Sequence, residues 1–297
     1  GAAGADGEDG ADGSDGAVGS TGVAGSDGAV GATGIAGAAG ADGSDGASGV
    51  SGSVTELSDA LVEDDSIYIG NAPSSTTSDA MSNVAIGTTA LQAVTSGNQN
   101  VAVGHGALES NTSGVLNTAS GHEALFSNTT GVNNTAMGSG ALYNNTSGLA
   151  NIAVGLNAMY FNTTGGFNSA VGYLASVMNT TGTYNASIGY KSLRQNTTGY
   201  ENTAIGSWAL DANTTGFHNT AIGYEADVAS NDLNNAIAIG YGAIVASSNS
   251  MQLGNTDVTN VATSGTITVG AITIPNVDGS ANQVLSTDGS GILSWVA

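Results

Sequence analysis

The chain has 297 residues, of which 47 are glycine, none is cysteine, 5% are aromatic and only two are Lys or Arg, for a net charge of −22. That composition excludes the one or two ordinary globular domains the length would suggest, and the missing positive charge argues against nucleic acid or anionic membrane as a partner. Without cysteine there is no disulfide framework and no thiolate metal site, and no apolar run approaches a membrane span.

Residues 1–52 carry glycine at every third position, from Gly1 to Gly52 without a break. This Gly-X-Y phase is the collagen signature, because only glycine fits at the axis of three polyproline-II chains. The segment has no proline, and its third position favours Asp (Asp6, Asp9, Asp12, Asp15). A flexible linker is the alternative reading, but a linker has no need of an unbroken phase. As a triple helix the segment would reach about 150 Å at ~3 Å per residue and would bring three chains together. Residues 53–69 read as an adaptor, with Val54, Leu57 and Leu61 at helical spacing and Ile67-Tyr68-Ile69 as a strand.

From Gly70 to Gly240 a glycine recurs every 17 residues, and a last step of 14 reaches Gly254. Counting that glycine as position 1, the unit reads roughly G-x-x-A-L-x-x-N-T-T-G-x-x-N-T-A-I, as in Gly189 to Ile205. A fixed short period marks a solenoid. Each unit offers two strand candidates, N-T-A-I before the glycine and A-L after it, separated by turn formers. Stacked coils would align equal positions into ladders about 4.8 Å apart. Position 17 gives an apolar column (Ile86, Val103, Met137, Ile205), and position 5 another (Leu91, Leu108, Leu142, Met159, Leu210, Ile244), broken by Ser176 and Asp227. Positions 4 and 16 are held at alanine, which implies close approach of another backbone, either the far wall or a neighbouring chain. The position-14 asparagines would form an amide ladder.

Residues 255–297 read as a neck followed by a small β region. Its strands are Thr266–Val269 and Ile272–Ile274, with turns at Asp278-Gly279 and Asp288-Gly289 and a close at Trp295. The chain begins at Gly1 rather than Met, as a processed chain or a piece of a longer one would.

The N-T-A-I-G and A-I-A-I-G units, with the 14-residue last coil, resemble the head repeats of trimeric autotransporter adhesins. Leu253-Gly254-Asn255 through Thr259-Asn260-Val261-Ala262 looks like the neck of such heads, without its usual basic residues. The Gly-X-Y segment, the Ser66–Gly70 entry, the N-T-T-G repeats and Asn282–Gly289 with Ser294-Trp295 are similar to phage tail fibres. The resemblance implies an all-β homotrimer of left-handed parallel β-rolls of 17-residue repeats (70–254), behind a collagen-like triple helix (1–52) and an adaptor (53–69), with a small C-terminal β region (255–297). It implies a structural fibre, extracellular or on a virion surface, that supports attachment to a host glycan or protein receptor. A bacterial adhesin or matrix filament is the alternative, and an ice- or glycan-binding solenoid a further one.

The sequence assigns no catalytic, cofactor or metal residues and reads the chain as no enzyme. Bound Ca²⁺ or other cations are expected from the charge alone. His105 and His122 share one repeat position and would stack a coil apart, where a metal pair is conceivable and surface histidine is the default reading. Asn-x-Ser/Thr recurs at Asn111, Asn128, Asn145, Asn162, Asn179, Asn196 and Asn213, where turn chemistry is favoured over glycosylation. Aromatics fall at variable positions, and repeats put variation on outer loops. Tyr143, Tyr160, Phe161, Trp208 and Phe217 are therefore the candidate surface contacts.

Overall fold

Seventeen residues carry the backbone once around a flattened coil and return it one layer further on. The computed structural model describes residues 60–63, 65–70, 73, 79–262, 264, 284–287 and 293–296. The chain divides into two units, Gly1–Asp257 and Val258–Ala297. The Gly-X-Y segment, Val54, Leu57 and the strands expected at 266–274 lie outside the described residues.

In the first unit, β1 (Ala60–Glu63) and β2 (Ser66–Ile69) form an antiparallel hairpin with Glu63 opposite Ser66. Leu61 therefore sits in a strand, which corrects the helical spacing read for it. Asp65 enters the tight turn at φ 59°, a conformation that Asp tolerates better than most residues. From β2 onward the main sheet is parallel. Its rungs are β3 (Val84–Ile86), β4 (Val101–Val103), β5 (Thr118–Ser120), β6 (Thr135–Met137), β7 (Ile152–Val154), β8 (Ser169–Val171), β9 (Ala186–Ile188), β10 (Thr203–Ile205) and β11 (Thr220–Ile222). After β12 (Asp227–Val228) come β13 (Ile237–Ile239), β14 (Ile244–Val245) and β15 (Met251–Leu253). The main sheet has 13 strands, and β12 pairs with β14 in a second, two-stranded sheet. Register is set by the repeat, since Thr203 faces Thr220, Ala204 faces Ala221 and Ile205 faces Ile222. In the second unit, β16 (Val284–Thr287) and β17 (Leu293–Val296) pair antiparallel with Thr287 opposite Leu293, and the turns expected at 278–279 and 288–289 lie outside the described residues.

The A-L pair is a turn rather than the expected second strand in most coils. A strand sends successive side chains to opposite faces, yet Ala107 and Leu108 are both 0% exposed. The backbone achieves this by placing Leu108 in the left-handed region at φ 53°, as it does Leu91, Leu125 and Leu142. The Leu108 N–H then donates to Ala124 O of the next coil at 3.0 Å. Where the same position is extended, in β12 and β14, alternation returns. Val228 and Val245 point inward there, while Ile244 is 56% exposed. Ile244 thus does not belong to the buried leucine column, and Val245 takes its place.

Alanines 102, 119, 136 and 153 of the rungs pack against the alanine and leucine columns of the opposite wall inside one chain. The small residues are dictated by the coil's own thinness, which settles the choice left open by the sequence. The apolar core splits at one coil, where Ser176 replaces leucine and Ser187 replaces alanine. Their hydroxyls meet at 2.8 Å, so the buried polar atoms satisfy each other. Position-1 glycines are fixed by geometry. Gly121 has φ 145°, and a Cβ there would lie 2.6 Å from the Gly138 carbonyl carbon.

Two buried amide ladders run through the stack. At position 14, Asn134 Nδ2 donates to Asn117 Oδ1 (3.1 Å) and to Gly148 O (2.8 Å), and Asn134 Oδ1 accepts from Asn151 N–H (3.0 Å) and Nδ2 (3.1 Å). At position 8, Asn145 Nδ2 donates to Asn128 Oδ1 (2.8 Å) and to Gly148 O (3.1 Å). The position-8 ladder is made of the Asn-x-Ser/Thr asparagines. Their bond to the glycine three residues on is the turn chemistry expected, and the continuous inter-coil chain is an addition to it. All seven are buried, so the folded coil leaves no room there for a glycan.

Replacing Asn134 by Ala strands the buried N–H of Asn151 and removes a donor from Gly148 O. Gly148 O keeps the Asn145 bond, so the one orphaned group sets an expected cost of about 1–3 kcal/mol. Denaturant unfolding checks this, with the exposed Thr130→Ala as a control expected to change little.

Candidate functional site

With most of the interior committed to alanine, leucine and asparagine, most chemical variety lies on the outer positions. The strand face presents positions 15 and 17 outward. Ile86, Val103, Met137, Val171, Ile188, Ile205 and Ile222 form a stripe, each between 38% and 49% exposed. The threonines Thr118, Thr135, Thr203 and Thr220 share this face, but Thr135 is in register with Ile152 and Thr203 with Ala186, so they make no continuous threonine array.

On another flank the period stacks aromatic rings. Phe126, Tyr143 and Tyr160 lie face to face with centroids 5.0 and 4.8 Å apart, and Phe161 meets Tyr160 edge-on at 4.9 Å. Three of the candidate contacts, Tyr143, Tyr160 and Phe161, are thus one cluster. Phe161 and Met178 on one side and Thr146, Thr163 and Thr180 on the other line an open groove of about 500 Å³. The threonine hydroxyls are occupied, each donating to the next threonine's carbonyl, as Thr146 Oγ1 does to Thr163 O at 3.1 Å.

Trp208 and Phe217 belong to other columns. Phe217 stacks on Tyr200 at 4.8 Å. Trp208 meets Tyr190 edge-on, and Tyr190 stacks on Tyr173. The only two basic residues of the chain both converge on the Trp208 ring, Lys191 Nζ at 4.3 Å and Arg194 Cζ at 5.0 Å from its centroid. Arg194 also grips Asp211 through two bonds of 2.8 and 3.0 Å, a fork that fixes the guanidinium plane. The Asp211 partner holds the Arg194 pKa above its ordinary value. The sequence reading missed Tyr173, Tyr190, Lys191 and Arg194. Their common signal was there, because Tyr173 and Tyr190 are 17 apart, as are Lys191 and Trp208.

Asp227 interrupts the leucine column. Its backbone is extended, so its carboxylate reaches the coil edge and accepts the N–H groups of Val228 (2.8 Å) and Ala212 (3.0 Å). Burial pushes this carboxyl up to about 6, against the lowering effect of the two N–H bonds. His105 and His122 stack one coil apart, with centroids at 5.2 Å, as the shared repeat position implied.

Comparison with known proteins adds one finding at the N-terminus. Residues 1–57 match the collagen triple helix repeat family. Collagen-like repeats followed by a β-solenoid fit a structural fibrous protein, and triple-helix repeats imply self-association of three chains. No curated protein matches the chain. Among the described residues no helix is long and apolar enough to cross a membrane.

Asp227 gives the roll a pH signature. Its folded value of about 6 lies above its ordinary 3.8, so the protonated form binds the fold better. The associated stability is fully present below pH 3.8 and is lost as pH rises through 6. Relative to Asp227→Asn, the unfolding free energy of the parent chain should fall by about 2 kcal/mol between pH 4 and pH 7. Parallel unfolding curves of the two proteins at both pH values check this.

Proposed function

We propose that the chain is a structural fibre protein whose three copies pack their rolls together along the strand face. The observation that carries this reading is the outward stripe of Ile86, Val103, Met137, Val171, Ile188, Ile205 and Ile222. One coil needs none of these side chains for its own core, yet position 17 stays apolar through nearly the whole stack. Joined to a segment of triple-helix repeats, the stripe is suited to cover by two further copies of the same chain, which would present the same stripe in the same register. Burying half of one isoleucine supplies roughly 1 kcal/mol, and the stripe repeats that contribution coil after coil.

The role is mechanical, to hold a contact surface away from the particle or cell that bears it, outside the cell or on a virion. No catalytic role and no cofactor is proposed. Attachment to a glycan or protein receptor is a second reading, favoured by the groove beside the Tyr143–Tyr160–Phe161 cluster. There Phe161 and Met178 face a column of threonines that runs along the stack, a form that suits the faces of an extended sugar chain. An ice-binding role has less support, because the threonines of the strand face are interrupted at Ile152, Ser169 and Ala186.

Sedimentation equilibrium of the full chain tests the assembly. Three times the chain mass of 28.7 kDa is expected, and the mass of one chain would overturn the reading. Ile188→Asp combined with Ile205→Asp should lower the melting midpoint of the assembly. The exposed Thr198→Asp, away from the stripe, should leave it unchanged.

A further inference from the structure

Position 2 follows the glycine of each coil and is filled without a common rule, by Ser139, Leu156, Tyr173, Tyr190 and Ser207 among others. In two successive coils it is histidine. The imidazoles of His105 and His122 are exposed and stack nearly parallel, 10° apart in plane with centroids at 5.2 Å. The coil needs neither ring, since other coils place a serine or leucine there. Glu123, next in sequence, turns its carboxylate to the same place, with Oε2 3.5 Å from His122 Nδ1. Its backbone lies in the left-handed region at φ 55°, anchored by the Glu123 N–H donating to His105 O at 2.8 Å. One donor atom from each of the three side chains lies within 4.8 Å of the other two. Glu109 is the next carboxylate on this flank, and it is engaged by Thr89 Oγ1 at 2.6 Å.

We propose that His105, His122 and Glu123 form a surface site for a divalent transition-metal ion such as Zn²⁺. Two imidazole nitrogens and one carboxylate oxygen are the donor set that borderline cations select, whereas Ca²⁺ and Mg²⁺ require a fuller shell of oxygens. Bond lengths of about 2.1 Å demand donors closer together than 4.8 Å. Both rings are free to tilt about their side-chain torsions, because no hydrogen bond of the coil depends on them. Water would complete the shell. Glu123 makes the ligand set less positive, and an ion held between β4 and β5 coils would tie adjacent layers across their outer edge. The site is independent of the fibre reading, since it lies within one chain.

Calorimetric titration of ZnCl₂ into the full, chelator-treated chain tests this. Millimolar CaCl₂ should be present throughout to occupy the other carboxylates. One saturable Zn²⁺ per chain is expected. His105→Ala or His122→Ala should weaken it at least tenfold, and Glu123→Gln should weaken it less. Zn²⁺ should also raise the melting midpoint of the parent but not of the double histidine variant. Both histidines are exposed, so the variants should retain the circular dichroism of the parent. Zn²⁺ heats that persist unchanged in a folded His105→Ala, His122→Ala double variant would overturn the proposal, as would absence of saturable binding in the parent.

Discussion

The roll depends on buried amides that no single coil can satisfy. Each coil places two asparagine side chains in a dry interior, where an unbonded amide costs several kcal/mol. The partners lie one layer above and one layer below. Gly148 O joins the two ladders, accepting from Asn134 Nδ2 and Asn145 Nδ2 together. A Cβ at Gly165, the same position one coil on, would approach Gly182 O to 2.5 Å. Glycine at position 11 is therefore set by close approach, and the asparagines at 8 and 14 are set by that glycine's carbonyl. The apolar core can stay thin because hydrogen bonds, repeated at fixed spacing, share the interior with it.

The same requirement explains why the ends of the stack are unlike its middle. At the N-terminal end, Tyr68 takes the inward slot that later coils give to alanine and faces Ala85 across the sheet. Ser66 replaces the ladder asparagine, receiving Asn83 N–H on its hydroxyl at 2.9 Å. At the other end the position-8 ladder stops at Asn213, and the carbonyl of Asn231 receives the N–H groups of Thr214 and Thr215. From there the leucine turns give way to the β12–β14 strands, and Val228 and Val245 take the inward slot that leucine held while Asp227 stands at the coil edge. At both ends, departures from the consensus fall where a coil has lost a neighbour of its own kind, whereas the mid-stack Ser176–Ser187 pair satisfies itself.

Much of this was legible in the sequence. The period gave the layers and the register, the small residues gave the thinness, and the position-14 asparagines gave one amide ladder. The parts that stayed hidden share a cause. An Ala-Leu pair looks like a strand fragment because sequence carries no sign that leucine will adopt a positive φ. That single torsion turns two successive side chains inward. Likewise the asparagines at position 8 look like loop residues, because N-T-T-G is turn chemistry wherever it occurs, and only the stack reveals that the turn folds inward. Leu61 misled because a helical spacing was read across residues 54–61, whereas the pairing of Leu61 with Tyr68 across the β1–β2 hairpin decides its conformation. The aromatic contacts were legible as a class, but their grouping was not. Tyr143, Tyr160 and Phe161 are neighbours through stacking, while Trp208 owes its setting to the two cations of the chain.

An interior whose amides rely on neighbouring layers should hold its side-chain amides out of contact with water. The direct measurement is hydrogen exchange of the asparagine carboxamide protons in the folded full chain, read by NMR. Carboxamides of Asn117, Asn134 and Asn151, and of Asn128, Asn145 and Asn162, should exchange orders of magnitude more slowly than the exposed Asn235. Exchange of the ladder amides at the rate of Asn235 would contradict the account.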